Sequence, residues 1–261
     1  MNFKITQTKA QRSGFRLETK RKEAAGVFAE GGNGSGGLCV EEGVCAYAFD
    51  ENFRLLSKRK NIAKDEDIKA VRFLGDMGYV VTYQQRDPLF SIDFSDPEKL
   101  KVVDKIEMPG FSGYLHPVKD DLLLGIGEAE DGNAKISLYD ITDNNKLSIY
   151  DEKEIDHIKY NNVLEDYRKI FIDEENNIAG FGGTDYGDSD DEKEENREQN
   201  YYVLYHYDRD GKLQQIGEYP VKKEYRGFIN QKFIGMRIGT WFYVIPEATS
   251  RQEDMEIVPY S

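Results

Sequence analysis

Ile136-Ser-Leu-Tyr-Asp140-Ile-Thr-Asp143-Asn-Asn-Lys-Leu-Ser-Ile-Tyr150 is an apolar run that ends on an aspartate, turns through polar residues and resumes as a second run. The same pattern occurs three more times. Cys45-Ala-Tyr-Ala-Phe-Asp50 turns into Leu55-Leu56, and Leu89-Phe-Ser-Ile-Asp93 turns through Asp96-Pro97 into Val102-Val103. Further on, Val203-Leu-Tyr-His-Tyr-Asp208 turns through Arg-Asp210-Gly into Lys212-Leu213. The aspartates Asp50, Asp93, Asp140 and Asp208 are spaced by 43, 47 and 68 residues. The last interval holds a polar insert of 16 residues, 184–199, without which it shrinks to 52.

Ahead of these aspartates lie further pairs of short apolar runs around Gly, Asp or Asn, the signature of hairpins. Val71–Tyr83, Tyr114–Ile126 and Ile170–Phe181 precede Asp93, Asp140 and Asp208, and a fourth such pair, Lys232–Val244, follows. Four strands in about 45 residues is the period of a propeller blade. The expected fold is all-β, a β-propeller of four-stranded antiparallel blades, with about five blades or part of a larger ring. The spacing places a single propeller domain over 1–261, with a partial blade at 1–63, blades at 64–108, 109–157 and 165–221, and a partial blade at 222–261. Only Glu152–Lys169 could hold a turn or two of helix. In this reading each aspartate ends a strand and accepts turn N–H groups, as in an Asx-turn. That makes the four aspartates structural rather than catalytic.

Composition narrows the function. The 261 residues carry 35 Lys and Arg against 49 Asp and Glu, a formal charge of −14, which argues against a phosphate-backbone partner and so against nucleic acid. No run of about 18 apolar residues is present, so no membrane-spanning helix is expected. With 17 Tyr and 14 Phe the chain can build a core. The charge is uneven: residues 1–30 are net +4, and the 184–199 insert is net −6. The basic run Lys20-Arg21-Lys22, with Arg12 and Arg16, reads as the charged edge of a hairpin, where cations discourage strand addition. Its other reading is a contact for an acidic polymer.

Met1-Asn-Phe-Lys-Ile-Thr-Gln-Thr has no apolar h-region, so the start of the sequence does not read as a signal peptide. A cytosolic protein and one that has lost its export signal both fit. Cys39 and Cys45 flank Val40-Glu-Glu-Gly43-Val44. A three-residue turn at 41–43 would set them opposite each other, within reach of a disulfide worth roughly 2 kcal/mol. Two thiols in a half-buried hairpin are the alternative.

Candidate sites are few. Asp185, Asp188, Asp190 and Asp191 are spaced loosely like calcium ligands but lack the ordered positions and closing Glu of an EF-hand. A solvated acidic loop is the favoured reading, with calcium the one cofactor in view and no other expected. Gly31–Gly37 reads as a linker, since no Lys-Ser/Thr follows it. His116, His157 and His206 fall in different repeats, with an inter-blade hydrogen bond the favoured role for His116. No Gly-x-Ser-x-Gly elbow or paired carboxylate stands out, so no catalytic residue is nominated.

The strings Ile68–Pro97, Pro109-Gly-Phe-Ser-Gly-Tyr-Leu-His-Pro117, Leu124-Gly-Ile-Gly127 and Lys135–Asp143 resemble the bacterial and archaeal secreted proteins with a C-terminal β-propeller distantly related to WD-type repeats. The resemblance covers most of 43–245, while 1–42 match poorly. It implies a propeller, an extracellular or cell-surface location, longer full-length relatives and no established activity. The expected function is therefore non-enzymatic: binding or scaffolding at the cell surface, with an unknown protein or glycan ligand at a propeller face. The alternatives are a glycan- or peptide-acting hydrolase with carboxylates at a channel mouth, and a cytosolic interaction scaffold.

Overall fold

Among the described residues, five antiparallel sheets follow one another along the chain. The structure, a computed structural model, describes residues 15–20, 23–30, 43–50, 52–186 apart from 53, 65, 84–86, 120 and 145, 199–221 apart from 211, 233–246 and 256–259. These residues fall into two compact units, one of 1–111 with 143–148 and one of 112–142 with 149–261.

The first unit holds two sheets. β1 (Phe15–Lys20), β2 (Glu23–Glu30), β3 (Gly43–Asp50) and β4 (Leu55–Ala63) pair in that order. β5 (Asp67–Leu74), β6 (Met77–Tyr83), β7 (Asp87–Asp93) and β8 (Lys101–Met108) make the second. Val44, Ala46, Ala48 and Ala63 of the first sheet bury against Phe73, Val80, Phe90 and Ile92 of the second. Small side chains on one face let the other sheet's larger ones close the gap without voids. The Ser57 hydroxyl donates to the Pro97 carbonyl at 2.6 Å, and the Leu147 N–H donates to the Asp104 carboxylate at 2.7 Å.

The second unit holds three sheets. β9 (Phe111–Val118), β10 (Leu122–Glu128), β11 (Ala134–Asp140) and β12 (Ser148–Ile155) pair in chain order. In the next, β13 (Tyr160–Asn161) and β14 (Phe171–Asp173) both pair with β15 (Ile178–Asp185), followed by β16 (Gln199–Asp208) and β17 (Lys212–Val221). Between β13 and β14 the chain makes one helical turn, α1 (Asn162–Glu165), and a 3-10 turn over Tyr167–Lys169. Asn161 caps α1 with its side-chain oxygen, and Asp166 caps the 3-10 turn. The last sheet is β18 (Phe233–Ile238), β19 (Trp241–Pro246) and β20 (Glu256–Pro259).

Burial explains the strand sequences. β10, β11 and β15 are buried along almost their whole length, so they read as continuous apolar runs rather than alternations. The closing strands β4, β8, β12 and β17 are more exposed and carry the Lys, Arg, Asp and Glu that blunt an open edge. Two cores hold the second unit. Leu122, Leu124, Ile136 and Leu138 pack on Phe181, Val203, Tyr205 and Tyr207, and Tyr202 and Leu204 pack on Phe233, Phe242 and Val244. Gly75 and Gly239 sit in two-residue turns at φ +61°, where a side chain would be strained.

Two sequence expectations are corrected. Residues 1–63, taken as a partial blade, contain a complete four-stranded sheet. The fourth unit begins at Tyr160, not at 165, because its first strand is split by the helical turns. Gly43 opens β3 opposite Glu30, and β3 is flanked by β2 and β4; the rest of the turn expected at 41–43 lies outside the described residues. Cys45 pairs with Phe28.

Candidate functional site

In the second unit, β9 and β18 are edge strands of their sheets, and β14 lies beside β13 along the edge of β15. Together β9, β14 and β18 line an open groove of about 740 Å³. That volume lies within the range of small-molecule and peptide sites. Its walls are His116 of β9, Phe171 to Glu174 at the end of β14, and Gly235, Met236 and Arg237 of β18.

Each side chain is placed by its strand. Tyr114 and His116 lie two apart on β9 and so share a face. Their rings stack at 6.1 Å, and the Tyr114 hydroxyl lies 3.0 Å from His116 Nδ1. Nε2 of the same ring lies 3.6 Å from Glu174, a residue 67% exposed in its side chain. Asp173 ends β14 and accepts N–H groups of Glu175 at 3.1 Å and Asn176 at 3.2 Å, with the Asn176 amide at 2.8 Å. Its carboxylate also accepts from Arg237 Nη1 at 2.8 Å, and Arg237 Nε donates to the Gly239 carbonyl at 3.0 Å. This Asp173–Arg237 strut ties sheet 4 to sheet 5 and fixes the groove floor. Gly235 is required there: a Cβ would meet the Tyr202 hydroxyl and the Phe242 ring. Phe171 stacks edge-on against Phe242 at 4.8 Å, which backs the same wall.

The chemistry offered is a rigid ion pair, an imidazole held between a phenol and a carboxylate, one solvent-reaching carboxylate and a thioether. Such a set offers charge, hydrogen-bonding groups and an apolar contact to a ligand. None of the lining residues is a serine or cysteine that could act as a nucleophile.

The four repeat aspartates each end a strand. Asp50 accepts N–H of Asn52 and Arg54 at 2.8 Å, Asp93 accepts that of Ser95 at 2.8 Å, and Asp140 accepts that of Thr142 at 2.9 Å. Asp208 ends β16 and lies 3.5 Å from His206 Nδ1. Asp140 does more: Arg209 forks onto it with both terminal nitrogens at 3.1 Å. The Arg209 hydrogen bond holds the Asp140 carboxyl far below the usual carboxylate range, against the upward push of burial. Tyr150 donates to the Arg209 carbonyl and lies 5.5 Å beneath its guanidinium.

The three histidines are not brought together. His116 meets Glu174, His206 meets Asp208, and His157 meets Glu218 at 3.1 Å with the Tyr201 ring at 5.0 Å. Among the described residues no three His, Cys, Asp or Glu side chains are placed to hold a metal. Asp185 closes β15 opposite Gln199, and its charge adds to burial in raising the Tyr201 phenol. Asp188, Asp190, Asp191, Cys39 and Gly31–Gly37 lie outside the described residues. Cys45 is buried in β3. Arg16 and Lys20 fall on β1, the edge of its sheet, while Arg12, Arg21 and Lys22 lie outside the described residues.

Sequence reading missed Arg209, Arg237 and Glu174. An arginine directly after a strand-ending aspartate, in Asp208-Arg209-Asp210, was the one signal available for the first. The other two pair with residues of different repeats, which no spacing announces.

A family model described as a β-propeller domain matches residues 41–238. An uncharacterised protein of Methanocaldococcus jannaschii is 40% identical over 136 residues, 51% of this chain and 21% of its own length. One from Archaeoglobus fulgidus is 46% identical over 97 residues, 37% of this chain and 16% of its own. The chain thus spans about a fifth or less of the length of these relatives. Among solved structures, a Toxoplasma gondii coronin WD40 domain aligns with a TM-score of 0.46 at 14% identity, over 85% of this chain and 49% of that one. A hypothetical selenium-binding protein of Sulfolobus tokodaii aligns at 0.49 and 11%, over 76% and 52%.

Proposed function

The chain belongs to the β-propeller domain family, and from that premise we propose that it is a binding or scaffolding module acting outside the cytoplasm at the cell surface. The observation that carries the binding role is the groove between β9, β14 and β18, where His116, Glu174 and Met236 reach a space whose floor is locked by Asp173 and Arg237. A preformed floor lowers the ordering cost of binding. The ligand is a protein segment or a glycan, either of which can use a carboxylate, an imidazole and an apolar contact at once.

The test is a screen of the purified chain on glycan and peptide arrays, repeated with Glu174→Gln and His116→Ala. Glu174 is mostly exposed, so its replacement leaves the fold intact. Hits weakened at least about tenfold by these changes support the groove. Hits indifferent to both, or none, remove it. Reproducible turnover of a glycan or peptide, lost in Glu174→Gln, would favour the hydrolase reading instead.

The location has a chemical correlate in Cys39 and Cys45. Non-reducing peptide mapping that recovers the two linked supports an oxidising compartment. Two alkylatable thiols support the cytosolic scaffold. Calcium bound through Asp185, Asp188, Asp190 and Asp191 is proposed only as an accessory of the 184–199 loop. Calorimetry with calcium chloride decides it, with loss of heat in Asp188→Asn as the confirming result.

A further inference from the structure

The charges that line the groove do not balance. Its lining includes two carboxylates, Asp173 and Glu174, and one fixed cation, Arg237. Asp173 is only 9% exposed in its side chain and accepts from Arg237 Nη1 at 2.8 Å, so these two cancel within the floor. Glu174, next in the chain, is 67% exposed and faces His116 Nε2 at 3.6 Å, beyond hydrogen-bond length. An imidazole supplies a countercharge only when protonated. Lys119, on the neighbouring turn, has its ammonium 3.5 Å from the Glu175 carbonyl.

The surplus charge is felt in the core as well. Tyr207 on β16 is 2% exposed, and its buried hydroxyl has no hydrogen-bond partner. Burial first, and then the charges of Glu174 and Asp173, raise its phenol above the ordinary tyrosine value.

The uncharged part of the lining narrows the ligand further. Phe171, Ile172 and Met236 are apolar, and Met236 is 40% exposed. Among the described lining residues there is no Ser, Thr, Asn, Gln or Tyr to match the many neutral hydroxyls of a sugar. The phenyl ring of Phe171 is engaged edge-on by Phe242 at 4.8 Å, so it is not offered as a flat stacking platform. A carboxylate beside apolar contacts matches a side chain with an aliphatic stem and a cationic tip.

We propose that the groove binds a basic peptide segment, with the cationic tip of a lysine or arginine on Glu174 and its methylenes against Met236. The proposal rests on the binding role given above and narrows its ligand from a protein segment or glycan to a cationic peptide. The chain's charge of −14 favours the approach of such a segment.

The probe is fluorophore-labelled acetyl-Gly-Leu-Lys-Leu-Gly-amide, compared by anisotropy with the same peptide carrying norleucine for lysine. Norleucine keeps the stem and removes the charge. The lysine peptide binds at least about tenfold more tightly, as expected of a charge-assisted hydrogen bond covered by the ligand. Glu174→Gln erases most of that preference. Glu130→Gln removes an equal charge from an exposed site in the turn between β10 and β11 and leaves the preference unchanged. Raising salt from about 50 to about 500 mM weakens the lysine peptide and spares the norleucine one.

Equal affinity for the two peptides, or a preference indifferent to Glu174→Gln, overturns the proposal. Spermidine bound as tightly as the lysine peptide also overturns it, in favour of a free polyamine. Binding of neither peptide overturns it too. In each case array hits lost in His116→Ala would show that the groove still binds a ligand, and their absence would remove the binding role as well.

Discussion

Arg209 grips Asp140 from 69 residues away, with Nη1 and Nη2 each 3.1 Å from a different carboxylate oxygen. The aspartate that ends β11 is thereby the anchor of the following sheet as well as of its own turn. A forked, partly buried pair of this kind is worth more than a surface ion pair. A double-mutant cycle with Asp140→Asn and Arg209→Lys should return a coupling of about 1–2 kcal/mol in urea unfolding. Independent, additive effects would show that the pair contributes nothing beyond its geometry.

The same pair predicts an acid response. The folded-state pKa of Asp140 is depressed, so its contribution is complete above the unfolded aspartate value near 4 and is lost as pH falls toward the folded value. Asp166, brought to about 2 chiefly by its Arg168 hydrogen bond, acts in the same direction between about 4 and 2. Unfolding free energy should therefore fall with pH below about 4, and fall less steeply in Asp140→Asn. Equal slopes for variant and wild type would remove Asp140 from the account.

Gly235→Ala should cost about 1–3 kcal/mol, since the new methyl group meets the Tyr202 hydroxyl and the Phe242 ring, both inside a packed core. Relief by the second change Tyr202→Phe, seen as a partial recovery of the melting temperature, identifies the hydroxyl as the obstacle. No loss in Gly235→Ala would mean that β18 can shift, and the groove floor with it.

Two outer-strand aspartates repeat a single device. Asp104 in β8 accepts the Leu147 N–H at 2.7 Å, and Asp151 in β12 accepts the Leu213 N–H at 3.0 Å. Burial pushes the Asp151 carboxyl up, but the Leu213 N–H and its neighbours hold it below the ordinary value. Asp104→Ala and Asp151→Ala should each destabilise by about 1–2 kcal/mol, and hydrogen exchange should speed up at Leu147 and Leu213 respectively. Faster exchange spread over the whole chain, with no local excess, would argue against the assignment.

What could be read in the sequence was what is local. Hairpins around Gly75, Asn176 and Gly239 are announced by their turn residues, and the aspartate period follows from strands that pair with chain neighbours. The groove was hidden because it is not local. His116, Glu174 and Arg237 come from three sheets, and only the packing of β9, β14 and β18 makes them neighbours.

Because almost every strand pairs with its neighbour in sequence, the loops that must close are short and little chain entropy is spent before contacts form. Each sheet can therefore be finished as it leaves the ribosome, N-terminal sheet first. Sheet 4 is the step that waits longest. Its β13 pairs across α1 to β15, and β15 must hold an open edge through 186–198 before β16 arrives. During that interval the unpaired edge of β15 is open to pairing with another chain.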